Sequence, residues 1–239
     1  MTTKPDVPRL SLFPLTAEVN REGCLVIGGC DCVDLVEEFG TPLYVFDEYT
    51  LRSKCAEFKK EFGRRYADTV ILYAGKAFMN RALINLFKDE GLGLDVVSGG
   101  EMFIAHSIDF PMAKVYFHGN NKSRDELKQA LEWKVGKIVV DNFHELEMLS
   151  ALAKEKGVRQ DILLRLTPGV DPHTHRFIST GITDSKFGFP LVSAEDAITK
   201  AMKTPSLNLW GCISISARKS LKWSRTWRQS ASSSTYRRK

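Results

Sequence analysis

The sequence predicts an α/β fold organised around a parallel sheet, and three observations carry that prediction. From Thr41 onward, short apolar or β-branched runs alternate with segments whose apolar residues recur at helical spacing. Several of those segments open on residues suited to cap a helix, and polar groups gather where the apolar runs end. "TPLYVFD" (41–47) reads as a leading strand, and "EYTLRSKCAEFKKEFGRR" (48–65) as a helix with Leu51, Cys55, Phe58 and Phe62 on one face. Six strands follow at "TVILYAG", "GLGLDVV", "AKVYFHG", "GKIVVDN", "DILLRLT" and "SLNLWG", with helices near 79–90, 99–107, 123–133, 143–156 and 193–202. Ser123 precedes Glu126 as a capping box, and Asn142 lies three positions before Glu145. This rhythm suits either a doubly wound sheet or part of an eight-stranded barrel. Residues 168–190, "PGVDPHTHRFISTGITDSKFGFP", interrupt it with a connection longer than the ~12–15 residues usual inside a domain, and its aromatic and charged content argues for function.

A chain of 239 residues with 43% hydrophobic composition can bury a substantial core. No stretch approaches the ~20 apolar residues of a membrane span. The opening "MTTKPDVPRLSLFPL" lacks a basic region followed by an apolar one, so a cytoplasmic location is expected. Five cysteines, an odd number without zinc-like pairing, indicate neither a disulfide framework nor a structural metal. Cys30-Asp31-Cys32 could hold a soft metal, but it reads first as a pair of ordinary reduced thiols. The net charge of +5 is unevenly distributed: eight of the 34 Lys/Arg, and no Asp or Glu, lie from Cys212 to Lys239, leaving 26 basic against 29 acidic residues before them. A nucleic-acid or membrane partner would rest on that tail alone, and neither is expected.

In parallel α/β folds, ligands bind at the carboxyl ends of the strands. There the sequence places Lys76, Asp95 with Ser98, His118 with Asn120 and Asn121, Asp141, and Arg165. Each alone has a plain reading as a helix cap or a surface charge; five successive strands delivering polar groups to one rim point to a site. Lys76 follows an apolar strand and a glycine, so a partly desolvated amine able to form a Schiff base is expected, with a lysine snorkelling over the strand ends as the plainer reading. The glycines of "SGGE" (98–101) either free backbone N–H groups for an anion or allow a close helix approach. His173 and His175 have a spacing that could serve a metal, but with no third ligand nearby they read as loop hydrogen-bonding groups, and no metal is expected.

These stretches together resemble the diaminopimelate decarboxylase family, pyridoxal-phosphate enzymes of the alanine-racemase-like barrel group. The match runs in order through "TPLYVFDE", "YAGKA", "GLGLDVVSGGE", "FHGNNKS", "VDNFHELE", "LLRLTPGVDPHTHRFISTG" and "DSKFGFP". The resemblance implies an incomplete (β/α)8 TIM-type barrel without the family's C-terminal β-domain, divided into an N-terminal segment (1–40), a partial barrel (41–211) and a tail (212–239). It implies that Lys76 carries pyridoxal 5'-phosphate covalently and acts in catalysis, that Asp95, Arg165 and His118 help bind the cofactor, and that Asn120, His173, His175 and Lys186 are candidates for the substrate loop. It further implies decarboxylation of meso-2,6-diaminopimelate to L-lysine and CO2, the last step of lysine biosynthesis, by a homodimer acting on a small amino acid. Gly75, Phe78 and Thr167 depart from the residues common in the family. Two alternatives stay open: another barrel decarboxylase acting on ornithine, arginine or carboxynorspermidine, against which "HTHRFISTG" and "DSKFG" argue, and a non-catalytic pyridoxal-phosphate-binding fragment.

Where the family continues into a motif with a ring-stacking histidine, this chain reads "GCISISARKSLKW". Joining each codon's third base to the next codon's first two allows His-Phe-His-Ile-Gly-Ser-Gln-Ile-Phe-Glu-Met, which is that motif. The tail from about Cys212 is therefore expected to be a frameshift product. Such a chain, lacking two barrel strands, is expected to aggregate or remain partly unfolded and to show no decarboxylase activity.

Overall fold

A computed structural model describes residues 10–167 and 187–214. The described residues form two compact units, one up to Ile71 together with Asp89–Gly91, and the other from Leu72 to Lys88 and from Leu92 onward.

In the first unit, β1 (Glu18–Val19), β2 (Leu25–Ile27) and β3 (Cys30–Asp31) form a small antiparallel meander. Two helices follow, α1 (Cys32–Phe39) and α2 (Glu48–Gly63), and an aspartate starts each. Asp31 accepts the Val33 N–H at 2.8 Å and Asp47 the Thr50 N–H at 3.0 Å, satisfying donors that a helix start leaves open. The expected strand over 41–47 does not form: Thr41–Pro42 is cis, and Leu43, Tyr44, Val45 and Phe46 are exposed and enter no ladder among the described residues. An apolar β-rich run becomes a strand only where another strand accepts its backbone, and β-propensity is largely this context. The predicted apolar face of α2 is likewise only partly used. Cys55 is buried, whereas Phe58 and Phe62 stay exposed and stack on each other with centroids 6.1 Å apart.

In the second unit, all six remaining predicted strands appear, with their helices. The order is β4 (Leu72–Ala74), α3 (Arg81–Asp89), β5 (Gly93–Val96), α4 (Gly99–His106), β6 (Val115–Phe117), α5 (Arg124–Glu132), β7 (Lys137–Val140), α6 (Phe143–Glu155), β8 (Gln160–Thr167), β9 (Phe189–Pro190), α7 (Ala194–Met202) and β10 (Leu207–Ile213). The strand order β10-β8-β7-β6-β5-β4 is parallel throughout, with short β9 parallel to the end of β8. This is the stepwise arc of a (β/α) barrel, the strands running in chain order apart from the short β9, rather than the reversing order of a doubly wound sheet.

The expected caps hold. Ser123 and Glu126 form a reciprocal capping box on α5, and Asn142 accepts the Glu145 N–H at 2.9 Å on α6. Helix faces and strands close over a core that includes Leu94, Val96, Phe117, Leu127, Ile138, Leu149, Ile162 and Leu164. Each fully buried side chain of this kind contributes about 1.5–3 kcal/mol over its exposed state. One glycine is demanded by packing: a Cβ on Gly136 would stand 1.9 Å from the Ala113 carbonyl oxygen, so β7 can start this close to its neighbour only without a side chain. In β10 the ladder skips a residue. Leu209 pairs with Ile162 and Gly211 with Leu163, leaving Trp210 as a bulge.

Candidate functional site

The parallel arrangement puts the carboxyl ends of β4 to β8 on one rim, and the predicted residues collect there. Lys76 sits in the short 3-10 turn Gly75–Ala77 that ends β4. Asp95 lies within β5, His118 and half-buried Asn120 follow β6, Asp141 follows β7, and Arg165 lies within β8. His173, His175 and Lys186 fall outside the described residues.

Asp95, His118 and Arg165 share one electrostatic environment with Lys76. Burial pushes the Asp95 carboxyl up to about 6, supported by the nearby Glu101 charge and opposed by Lys76 and Arg165. Burial pushes His118 down to about 3, and the positive charges of Lys122, Arg165 and Lys76 add to it. The imidazole is therefore neutral at neutral pH. Its Nε2 lies 3.9 Å from Asp95 Oδ1, too far for a hydrogen bond, and a neutral ring forms no ion pair. Asp95 Oδ1 and His118 Nδ1 are both buried, and neither has a hydrogen-bond partner among the described residues. Leaving a buried polar atom unsatisfied costs about 1–3 kcal/mol, so two such atoms in one place mark a position built for a group from outside the chain.

Lys76 departs from expectation: it is exposed rather than desolvated. Among the described residues β4 is an edge of the sheet, so packing covers the lysine from one flank only. The "SGGE" glycines also resolve. The Gly99 N–H donates to Glu126 Oε1 at 2.7 Å, the Glu101 N–H to Ser98 Oγ at 3.2 Å, and the Val97 N–H to Glu101 Oε2 at 2.7 Å. Two of the first-turn N–H groups, those of Gly99 and Glu101, are thus taken by the chain's own acceptors. A Cβ on Gly99 would meet the Glu126 side chain at 3.1 Å, so close approach explains that glycine.

Behind the rim lies a buried network of opposite charges. Lys122 Nζ donates to Glu145 Oε1 at 2.7 Å and to the carbonyls of Gly119 (2.8 Å) and Val139 (2.7 Å). Burial pulls Lys122 down and pushes Glu145 up, while each one's charge opposes the other's shift. Arg165 Nη1 donates to Asp141 Oδ1 at 3.3 Å. Glu145 carries no signal as a buried anion in the sequence: its cap position announced a helix start, and a glutamate there is ordinarily solvated. No cluster of His, Cys, Asp and Glu able to hold a metal occurs among the described residues.

The family profile described as pyridoxal-dependent decarboxylase, pyridoxal binding domain, matches residues 48–214. Diaminopimelate decarboxylase of Bacillus methanolicus is 48% identical over 201 residues, covering 83% of this chain and 46% of that protein. The Bacillus subtilis enzyme of the same name is 48% identical over 198 residues, covering 82% and 45%. The crystal structure of diaminopimelate decarboxylase from M. jannaschii in co-complex with L-lysine superposes with a TM-score of 0.80 at 34% identity, covering 88% of this chain and 50% of that one. The chain thus spans about half the length of the curated relatives it matches.

Proposed function

The chain belongs to the pyridoxal-dependent decarboxylases through their pyridoxal-binding domain, and from that premise we propose that it is the cofactor-binding part of a diaminopimelate decarboxylase. The observation that carries this reading is the pair of buried unpartnered atoms, Asp95 Oδ1 and His118 Nδ1, in electrostatic reach of Lys76. They suit a polar, charged ring system held by a lysine. Lys76, exposed at the end of β4, would hold pyridoxal phosphate through its amine. Asp95, its carboxyl pushed up to about 6 by burial, would exchange a proton beside it. His118 presents a neutral ring, which adds no charge beside a bound aromatic group. Arg165, fixed by Asp141, contributes a positive charge that does not titrate away. When bound, the cofactor supplies the electron sink for the pair left as the Cα–carboxylate bond breaks.

The reaction in this reading releases CO2 from meso-2,6-diaminopimelate and leaves L-lysine, in a cytoplasmic homodimer without a nucleic-acid partner. We place the partial barrel at 41–211 and the N-terminal segment at 1–40, and infer that residues from about Cys212 onward are read out of frame. Against the aggregation expected from two missing strands, we infer that the chain keeps enough of the barrel to fold and to bind the cofactor, while lacking turnover. No helix among the described residues is long and apolar enough to cross a membrane.

The test is to incubate the chain with pyridoxal phosphate, reduce with borohydride and map the modified peptide. Label at Lys76 that vanishes in Lys76→Ala supports the reading; label spread over surface lysines, or unchanged in that variant, defeats it. Sequencing the gene across the codons for Leu209 to Ser216 tests the tail, and an uninterrupted frame with no indel relative to close relatives rejects the frameshift.

A further inference from the structure

We propose that Asp141 is a positioning residue for the site: one carboxylate grips both the Arg165 guanidinium and the backbone at Gly188, and so governs the charge that Arg165 presents to Asp95. The inference rests on reading Lys76, Asp95 and His118 as the cofactor site.

Both Asp141 oxygens are used. Oδ1 accepts from Arg165 Nη1 at 3.3 Å and Oδ2 accepts the Gly188 N–H at 3.0 Å. Gly188 has φ +74°, and a Cβ there would stand 2.7 Å from the Arg165 carbonyl oxygen, so the backbone presses against Arg165 at a point only glycine tolerates. The Phe187 ring lies 4.8 Å from the guanidinium carbon. Arg165 is thus held by a carboxylate, an aromatic ring and a stretch of main chain.

Asp141 is itself braced. Its N–H donates to Glu145 Oε2 at 3.3 Å, and Glu145 Oε1 takes the Lys122 ammonium. An ammonium has three protons, and Lys122 spends them on Glu145, Gly119 and Val139. It has no donor left for a ligand and acts as a strut.

A plain stabilising role would produce the same contacts, so the discriminating quantity is the titration of Asp95, which feels Lys76, Glu101 and Arg165 and has His118 beside it. Of three events that Asp141→Asn can bring about, only one raises it. Removing the Asp141 anion alone lowers the Asp95 midpoint or leaves it in place. Unfolding returns it to the ordinary carboxylate range, also lower. Releasing Arg165 removes a nearby cation and raises it.

The experiment titrates the cofactor-free 239-residue chain by NMR with aspartate 13C-labelled at the side-chain carboxyl, the Asp95 signal being assigned with Asp95→Asn. Asp141→Asn is expected to raise the Asp95 midpoint by about one unit, the scale of one displaced neighbouring charge. Glu145→Gln, which loosens the brace but keeps Asp141, is expected to shift it upward by less. In an Arg165→Met background, Asp141→Asn should add no upward shift. An unchanged or lowered midpoint in Asp141→Asn, or a full upward shift persisting without Arg165, overturns the proposal. Because this titration uses no cofactor, it is read separately from borohydride trapping at Lys76, whose failure would remove the cofactor reading instead.

Discussion

Two sets of buried polar groups stand a few residues apart in this molecule and differ in one respect. Around Lys122, Glu145, Asp141 and Arg165, the ammonium and both carboxylates have partners within the chain, and the guanidinium is held by Asp141. At Asp95 and His118, two buried atoms have none. Removing a polar group from water is tolerable when the fold replaces the lost hydrogen bonds and costly when it does not. The first set therefore belongs to the scaffold and the second to whatever the scaffold was shaped to receive. The two are joined by Arg165, which is gripped in the first and felt in the second.

The largest break in this contrast should come from the satisfied set. Lys122→Met leaves Glu145 buried without its counter-ion and is expected to cost about 3–5 kcal/mol in urea unfolding. Replacing both partners with apolar residues should recover most of that, because no charge is then stranded. A loss below about 1 kcal/mol in the single variant would mean that Glu145 becomes neutral at little cost.

The unsatisfied set should respond to pH with opposite signs at its two members. His118 is held below its unfolded value near 6.5, so the stability it allows is present above that pH and is lost as pH falls toward about 3. By pH 4 the loss is about 3 kcal/mol, and His118→Phe should remove it. Asp95 is raised from its unfolded value, so its contribution is present below about pH 4 and lost as pH rises through about 6, again roughly 3 kcal/mol in all. Asp95→Asn should flatten that arm. Thermal melts of the three proteins from pH 4 to 8 check both slopes, and parallel curves would show that neither group titrates abnormally. The smallest effect belongs to ordinary scaffold: Ser123→Ala removes one half of the α5 capping box and should cost about 1 kcal/mol by the same melts, with any change in pH dependence confined to the acid range where Glu126 ionises.

The sequence made the second unit legible because each of its strands is short, apolar and followed by a polar residue that the parallel topology lines up, and because Ser123 and Asn142 mark helix starts by chemistry alone. The leading strand at 41–47 misled because its apolar alternation is a necessary condition for pairing and not a sufficient one. Lys76 was identifiable from its place after β4, but its exposure was not, since that depends on which neighbours flank the strand. The roles of Asp141 and Glu145 were out of reach for a different reason: each stands where a helix cap or a solvated acid would stand, and only the distances to Arg165, Gly188 and Lys122 separate those readings.

The bulge at Trp210 carries a last consequence, one of parity. A strand's two faces alternate strictly, so Leu207 and Leu209, both packed on the core, would place residues 211 and 213 beside them. With one residue set aside at Trp210, the count changes from odd to even, and Cys212 takes the core position opposite Leu164 while Ile213 comes level with Arg165. Deleting Trp210 would therefore straighten the ladder and leave Cys212 opposite Leu164, whereas forcing Trp210 into the ladder would turn the end of β10 inside out.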